Sequence, residues 1–232
     1  MAMQENGYLL EAANAIFEHW LINAEGNLVS IADVAELNPD TYSPKENWPI
    51  VQYLDTGSIT RGFVSDYQLI ELGVEKLPSR ARRRVRPGDI VYSTVRPNQE
   101  HFGILLDPDS NILVSTGFTA VRSSNELVCP EVLYLFLTQS KLTKSLQQIA
   151  EQSVSTYPSI KANDLGALEM PLPSDLEAAE LKAALGALFE LMAFNKSENA
   201  ELAELRDVLL PKLMSGEIDI SKIELPKEEG GE

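Results

Sequence analysis

A long run of heptad-spaced residues in the last third of the chain constrains the fold more than any other sequence feature. The positions that alternate four and three residues apart are Leu181, Leu185, Leu188, Met192, Asn195, Asn199, Leu202, Arg206 and Leu209. This spacing is typical of a coiled-coil seam, in which an Asn fixes register and partner. Ser174 suits an N-cap, and Pro211 is predicted to end the helix after residue 210. The pattern predicts one long helix, and its seam, Arg206 excepted, is the candidate subunit interface.

Two further helices and several short strands are predicted upstream. Apolar residues at three- and four-residue intervals predict an amphipathic helix over roughly 7–22 and another over 130–151. Short apolar runs separated by turn residues predict strands at 48–54, 89–95, 102–106 and 112–115. Residues 107–111, Asp-Pro-Asp-Ser-Asn, predict a hairpin-like turn between the last two strands.

The predicted fold class is α+β, with four segments. Residues 1–26 form a short N-terminal helical segment, and residues 27–173 form a mixed α/β domain of about 145 residues, which is ample for its own core. Residues 174–216 form the long coiled-coil helix and its ending. Residues 217–232 form an acidic tail that is expected to be partly disordered.

Charge and cysteine content narrow the function classes. The 232 residues carry a formal net charge of −16, which by itself argues against nucleic-acid binding, and the single cysteine excludes internal disulfides and cysteine-rich zinc sites. No run approaches the roughly 18 consecutive apolar residues of a membrane span. The first thirty residues contain no Lys or Arg, so a secretory signal is not expected. We therefore expect a cytoplasmic protein without membrane contact.

One segment departs from the acidic average. Residues 61–96 carry eight basic and four acidic side chains, a net charge of +4. Because the Debye length is about 8 Å at physiological salt, distant acidic helices do not cancel such a local patch. Within it, Arg82, Arg83 and Arg84 are candidate phosphate contacts, since a guanidinium can bind two phosphate oxygens. An Arg run taken alone is more often a solvated face.

A strand-to-loop element at the end of this segment, residues 92–101, carries side chains that can contact bases. Arg96 can recognise guanine, Asn98 and Gln99 can recognise adenine, and Thr94 can contact either. In a second polar cluster, 152–161, Lys161 could hold a phosphate and Tyr157 could pack on a sugar or base. A loop that precedes a final strand explains the second cluster equally well.

No catalytic pattern stands out. The sequence contains no P-loop, Gly-rich dinucleotide turn or His-Glu-x-x-His motif. His101 has no evident Ser or Cys partner for triad chemistry, so a stand-alone hydrolase is the weakest of the hypotheses considered. A non-catalytic chain without a bound cofactor is expected.

Three segments resemble one known family. Residues 199–220, which include Leu-Leu-Pro-Lys-Leu-Met-Ser-Gly-Glu, are similar to the conserved C-terminal region of the DNA-specificity (S) subunits of Type I restriction–modification enzymes. Residues 9–20 resemble the segment that ends the helix between the two target-recognition domains of these subunits. Residues 88–97, together with 159–165 and 170–173, resemble the framework of one such domain.

The resemblance implies a non-catalytic subunit that reads double-stranded DNA and docks modification and restriction subunits. S-adenosylmethionine would then be bound by the modification subunits, and ATP with Mg²⁺ by the restriction subunits. The chain has room for one target-recognition domain, whereas full-length family members have two. It therefore resembles half of a specificity subunit, and a homodimer through the 174–210 helix would restore two-fold geometry and read a palindromic bipartite site.

An alternative from a different class stays open. The chain could be a coiled-coil interaction protein without DNA binding, or an anti-restriction protein that mimics DNA. In that case acidic residues should cover the recognition face, and the Arg run at 76–86 should be paired within the chain.

Overall fold

The structure, a computed structural model, describes residues 2–46, 48–152 and 158–218. Its helices are α1 (Ala2–Asn23), α2 (Ile31–Val34), α3 (Pro130–Leu137), α4 (Ser140–Glu151), α5 (Ala162–Gly166) and α6 (Asp175–Met214). Its strands are β1 (Leu28–Ser30), β2 (Ala35–Leu37), β3 (Ile50–Leu54), β4 (Ile59–Thr60), β5 (Phe63–Val64), β6 (Gln68–Glu71), β7 (Ala81–Arg84), β8 (Asp89–Ser93), β9 (Phe102–Leu105), β10 (Ile112–Ser115), β11 (Phe118–Ser123) and β12 (Glu169–Pro171). This order confirms the α+β class, with a mixed domain between an N-terminal helix and a long C-terminal helix.

Two four-stranded sheets form the centre of the mixed domain. One has the strand order β2-β11-β8-β9 and is antiparallel, and the other has the order β6-β3-β10-β7. Alternate side chains of β8 point to opposite faces of its sheet. Ile90 and Tyr92 belong to the core shared with the helices, whereas Val91 packs with Leu54 and Val114 of the second sheet. The first sheet therefore lies between a helical layer and the second sheet.

The turn at 107–111 connects two sheets instead of closing a hairpin. β9 pairs with β8, whereas β10 runs parallel to β3 and antiparallel to β7. Side chains of the turn bond to β3: the Gln52 amide donates to Asp109 at 2.6 Å, and Asn111 donates to the Ile50 carbonyl at 3.3 Å. These bonds, together with complete burial of β10, place that strand inside the second sheet and correct the hairpin prediction.

The helix predicted over 130–151 is divided into α3 and α4. The Thr138 hydroxyl donates to the Tyr134 carbonyl at 2.8 Å, and the Gln139 amide donates to the Phe136 carbonyl at 3.2 Å. Because these side chains satisfy carbonyls at the end of α3, the helix can stop there without leaving its last acceptors unbonded.

Helix α6 begins where the sequence predicts it, but it ends later than predicted. Ser174 caps the helix in a capping box with Glu177, and the hydrogen bonds from Ser174 lower the pKa of that carboxyl. Pro211 lies inside the last turn and does not end the helix, which corrects the prediction. Proline removes only one donor there, and the helix continues to Met214, before Gly216 at φ +75°.

Helix α1 runs antiparallel to the first half of α6. The Asn6 amide donates to the Met192 carbonyl at 3.2 Å, Asn195 donates to Asn6 at 2.9 Å, and the Trp20 indole donates to Glu177 at 3.1 Å. The two helices therefore form a pair that extends to about residue 195 of α6. Beyond that point α6 continues without α1 beside it.

A buried ion-pair network fixes the strands at the edge opposite the loop that joins β8 to β9. Asp89 is fully buried and accepts two bonds of 2.7 Å from Arg122, which also donates to Asp40 at 2.8 Å. Arg86 pairs with Asp40 at 2.9 Å. The hydrogen bond from Arg122 lowers the pKa of the Asp40 carboxyl. The network thus links four segments to one another: Asp40 follows β2, Arg86 follows β7, Asp89 begins β8, and Arg122 belongs to β11.

Candidate nucleic-acid interface

The connection between β8 and β9, residues 94–101, forms a loop supported from two sides. The Arg96 amide donates to the Pro158 carbonyl at 2.9 Å, and the Ile160 amide donates to the Thr94 carbonyl at 2.8 Å. On the other side the Asn98 amide donates to Gln147 of α4 at 3.2 Å. Backbone bonds of this kind hold the loop in one conformation, so its outward side chains are presented from a fixed base.

Left-handed backbone conformations are concentrated at this loop. Four residues other than glycine have positive φ in the described part of the chain, and three of them are Arg61, Arg96 and Glu100. Each such conformation costs on the order of 1–3 kcal/mol and persists where the surrounding structure imposes it, which is common at functional sites. The cluster therefore marks the 94–101 loop and its neighbour as a candidate site independently of any motif.

That neighbour is the β4–β5 hairpin, which sequence reasoning did not include. The Arg61 amide donates to the Glu100 carbonyl at 2.9 Å, and the Gly62 amide donates to the Phe102 carbonyl at 2.8 Å. The Arg61 guanidinium also forms an ion pair with the Glu100 carboxylate, while 69% of the Arg61 side chain stays exposed. The Arg-Gly pair between two short apolar runs is the sequence signal that could have indicated this turn.

The candidate base contacts lie together on the loop. Arg96, Asn98 and Gln99 are exposed, and the last two belong to the short 3-10 helix Pro97–Gln99. Thr94 is half-buried, and its hydroxyl donates to the Gly117 carbonyl at 2.9 Å. Three of the four side chains are thus presented on one surface, whereas Thr94 lies beneath them with its proton already donated.

Two of the three candidate phosphate contacts on β7 are not available on the surface in the way that the sequence predicted. Arg84 binds Glu46 at 2.8 Å and lies 5.2 Å from the centre of the Trp48 ring. Arg83 is half-buried, and its Nε has no hydrogen-bond partner among the residues described; burial lowers the pKa of this guanidinium. Arg82 is exposed, with one long 3.4 Å bond to the Ser79 carbonyl. Of the three arginines on β7, only Arg82 presents an outward side chain outside an ion pair.

Two other predicted positions complete the comparison. Lys161 is exposed at the start of α5, directly after the 158–160 segment that supports the 94–101 loop. Tyr157 lies outside the described residues. The contacts of all these side chains with DNA stay predictions.

The surroundings of His101, the residue considered above for a hydrolase, and of the single cysteine, Cys129, bear on catalysis. His101 Nδ1 lies 2.7 Å from the Ile59 carbonyl and 3.1 Å from the Thr60 hydroxyl. The carbonyl can only accept, so Nδ1 carries the proton and cannot take one from Thr60. Burial raises the pKa of the Cys129 thiol to about 12, which keeps it protonated at neutral pH. No group of His, Cys, Asp or Glu that could hold a metal ion occurs within the described ranges.

The predicted helical seam is divided between two environments. Leu181 and Leu185 are buried in the core that also contains Phe17 and Trp20 of α1. Leu188 packs against the same core, Met192 is half-buried, and the amides of Asn195 and Asn199 bond within the chain. Leu202 and Leu209 remain exposed. The prediction that the whole seam contacts another subunit is therefore corrected for Leu181 and Leu185, because α1 and α3 already cover them.

The second half of α6 exposes a continuous series of apolar side chains, which we term the distal face. Its members are Leu202, Leu205, Val208, Leu209, Leu210, Leu213 and Met214, each at least 36% exposed. None of the helices in the described part of the chain is both long and apolar enough to cross a membrane. The distal face is thus an apolar surface of α6 that stays exposed among the described residues.

Comparison with known proteins relates the sequence to one family. No family model matches the chain. Over 163 residues, 70% of this chain, it is 26% identical to the Type I restriction enzyme HindI specificity subunit of Haemophilus influenzae. The match covers 35% of that subunit, so the 163 aligned residues correspond to about one third of this curated relative.

Solved structures show that the fold is similar to that of proteins of the same family. A chain from work on complex assembly and conformational transition of the type I R-M system aligns with a TM-score of 0.57 and 26% identity, covering 88% of this chain and 52% of that chain. The HsdS subunit of Thermoanaerobacter tengcongensis aligns with a TM-score of 0.57 and 24% identity over 87% and 51%. The S subunit of M. genitalium has a TM-score of 0.51 and 15% identity over 91% and 56%, so these last two likenesses concern the fold alone.

The chain thus spans about half the length of these solved relatives. Its similarity in sequence and fold to Type I specificity subunits confirms the resemblance to this family.

Proposed function

We propose that this chain is a half-length DNA-specificity subunit of a Type I restriction–modification system, which reads one half-site of a bipartite DNA target. The observation that carries the proposal is the 26% identity and shared fold over 88% of the chain with a protein of the type I R-M system. The 94–101 loop is the proposed reading surface, because Arg96, Asn98 and Gln99 are exposed there on a fixed backbone.

The chain itself would catalyse no reaction. Modification subunits would bind S-adenosylmethionine, restriction subunits would bind ATP with Mg²⁺, and this subunit would bring both to DNA in the cytoplasm. The Cys129 thiol, which its raised pKa keeps protonated, fits a non-catalytic role. The acidic surplus of the chain also suits this division, since protein partners rather than DNA would face most of its surface.

A homodimer would supply the second recognition domain. The distal face of α6 is the surface we propose for it, because these apolar side chains extend past the end of α1 and are left uncovered. Two-fold pairing would place identical recognition domains at the two ends of the assembly, and the target would be a palindromic bipartite sequence.

Co-purification with the cognate modification subunit, followed by selection on randomised duplexes, tests the proposal. We expect a stable complex that enriches a bipartite palindrome. A complex without sequence preference would contradict the reading function, and no complex would contradict the subunit assignment. The same experiment tests the alternative of an interaction protein without DNA binding, which is favoured by the internal pairing of Arg84 with Glu46 and of Arg86 with Asp40.

The Arg96→Ala variant tests base reading directly. If this guanidinium contacts a base, specific binding should weaken by about 1–3 kcal/mol, with little change on random DNA. Arg96→Asn controls for the backbone, because Asn tolerates the φ of +48° better than Ala does. Equal losses on specific and random duplexes in both variants would reassign Arg96 to the phosphates. Electrophoretic or fluorescence titrations of the assembled complex provide the measurement.

A further inference from the structure

We propose that Arg61 is a further DNA-contact residue and that Glu100 holds it in place and sets its selectivity. The inference rests on the proposed DNA-reading function. It arises from a part of the molecule that the sequence did not indicate, the tip of the β4–β5 hairpin beside the 94–101 loop. The proposed ligand group is a DNA phosphate at the edge of the half-site.

The turn that carries Arg61 is an unusual place for an arginine. Thr60 pairs with Phe63, so Arg61 and Gly62 form a two-residue loop, and both have positive φ (+47° and +80°). Two-residue loops with both residues left-handed strongly prefer Asn, Asp or Gly at the first position. The left-handed conformation is unfavourable for an arginine. We therefore attribute the presence of Arg61 at this position to a role of its side chain.

The side chain projects beside the proposed base contacts. Arg61 is bonded to Glu100 both through its backbone amide and through its guanidinium, and Glu100 belongs to the same loop as Arg96 and Asn98. The hairpin therefore cannot move independently of the loop. A duplex that reaches the exposed side chains of the loop would also approach Arg61.

The ion pair itself adds little to the stability of the fold. Most of the Arg61 side chain is exposed, and solvent screens such pairs strongly. Glu100 is only 24% exposed and is fixed by backbone bonds of its amide and carbonyl to Pro97 and Arg61. The backbone of Glu100 is therefore fixed, and the more exposed guanidinium is the member of the pair that can turn towards an anion.

Glu100 has a second effect, which concerns selectivity. A carboxylate beside a DNA-contact arginine competes with the phosphate for the same guanidinium and repels a backbone that approaches in the wrong register. Random DNA, which forms few other contacts, is affected most by this competition. A cognate duplex gains its base contacts as well and can displace the carboxylate from Arg61.

Two variants of the assembled complex test the inference through the salt dependence of DNA binding. With Arg61→Asn, which tolerates the left-handed backbone, the slope of log K against log salt should fall by about 1 on the cognate duplex and by less on random duplexes, where the Glu100 carboxylate competes best. With Glu100→Gln, binding to random DNA should strengthen several-fold and more than cognate binding, so discrimination falls. Lys182→Asn is the control, since it removes one exposed positive charge on α6.

The outcomes separate this inference from the proposed function. If the unmodified complex binds no DNA selectively, the proposed function fails and this inference fails with it. If the unmodified complex is selective but Arg61→Asn has the slope of Lys182→Asn, Arg61 makes no phosphate contact and the inference is overturned. Unchanged discrimination in Glu100→Gln would remove the role of the carboxylate. Light scattering on each complex confirms that all variants are compared in the same assembly.

Discussion

Replacing Asp89 by alanine is expected to destabilise the fold by about 3–5 kcal/mol, because it removes the buried one of the two carboxylates that pair with a partly buried guanidinium. Asp89 is fully buried and accepts two bonds of 2.7 Å from Arg122, whose side chain is 18% exposed. It also accepts the backbone amide of Arg86 at 2.8 Å. The variant loses these three bonds together, while Arg122 keeps only its bond to Asp40.

Urea unfolding of the chain at neutral pH measures this effect. Asp207→Ala is the matched control, since it also removes a carboxylate ion-paired with an arginine, but both partners are about two-thirds exposed on α6. Exposed pairs contribute at most about 1 kcal/mol, so the control should unfold close to the unmodified chain. Similar midpoints for the two variants would show that the Asp89 network does not hold the sheets together.

The same network explains what the sequence could not reveal about the Arg run. Arg84 and Arg86 reach carboxylates on distant segments, Glu46 and Asp40, and such pairings depend on how the strands are arranged. A cluster of arginines looks the same in sequence whether it faces solvent, DNA or carboxylates of its own chain. The prediction of a basic surface at 82–84 therefore needed the tertiary structure to separate Arg82 from its neighbours.

Elements defined by local chemistry were predicted well. The three-and-four spacing located α1 and α6, the capping chemistry located Ser174, and the apolar run of β8 was assigned correctly. Each of these depends on side chains within a few residues of one another. Strand pairing does not, and so β10 was assigned to the wrong partner although its position was predicted.

The candidate site shows the same division. Arg96, Asn98 and Gln99 were found because one strand-to-loop element contains all three residue types. Arg61 was missed because its neighbour in space, Glu100, lies 39 positions away and its conformation, at φ +47°, is not one that an arginine adopts by preference. Local patterns identified the loop, whereas the residue that completes the surface depended on packing.

The heptad seam predicted one long interface, but the fold uses its two halves differently. The first half of the seam contacts α1 within the chain, so the apolar seam residues that stay exposed, Leu202 and Leu209, lie on the distal face. The apolar side chains of such a helix can be removed from solvent in two ways: the helix can fold back on its own chain, or a second molecule can bind to it. Helix α6 does not fold back. Association of two copies through the distal face is therefore the arrangement that a change in charge should abolish.

The double variant Leu202→Glu/Leu209→Glu is expected to convert the proposed homodimer to monomers. Pairing of two copies would bury four carboxylates, each at a cost of several kcal/mol, and every 1.4 kcal/mol changes the Kd tenfold. The Kd should therefore rise by several orders of magnitude. Glu is a good helix former, so α6 itself should persist. Size-exclusion chromatography with light scattering gives the mass, and the far-UV circular dichroism of the variant should show that the helices are kept.

The matched control places the same two charges elsewhere. Leu176 and Val74 are 70% and 76% exposed and lie outside the distal face, so Leu176→Glu/Val74→Glu should keep the mass of the unmodified protein. A dimer that survives the distal substitutions but dissociates in the control would move the interface to the domain body. A monomeric unmodified chain at micromolar concentration would instead leave the distal face to another subunit, and a palindromic target would no longer be expected.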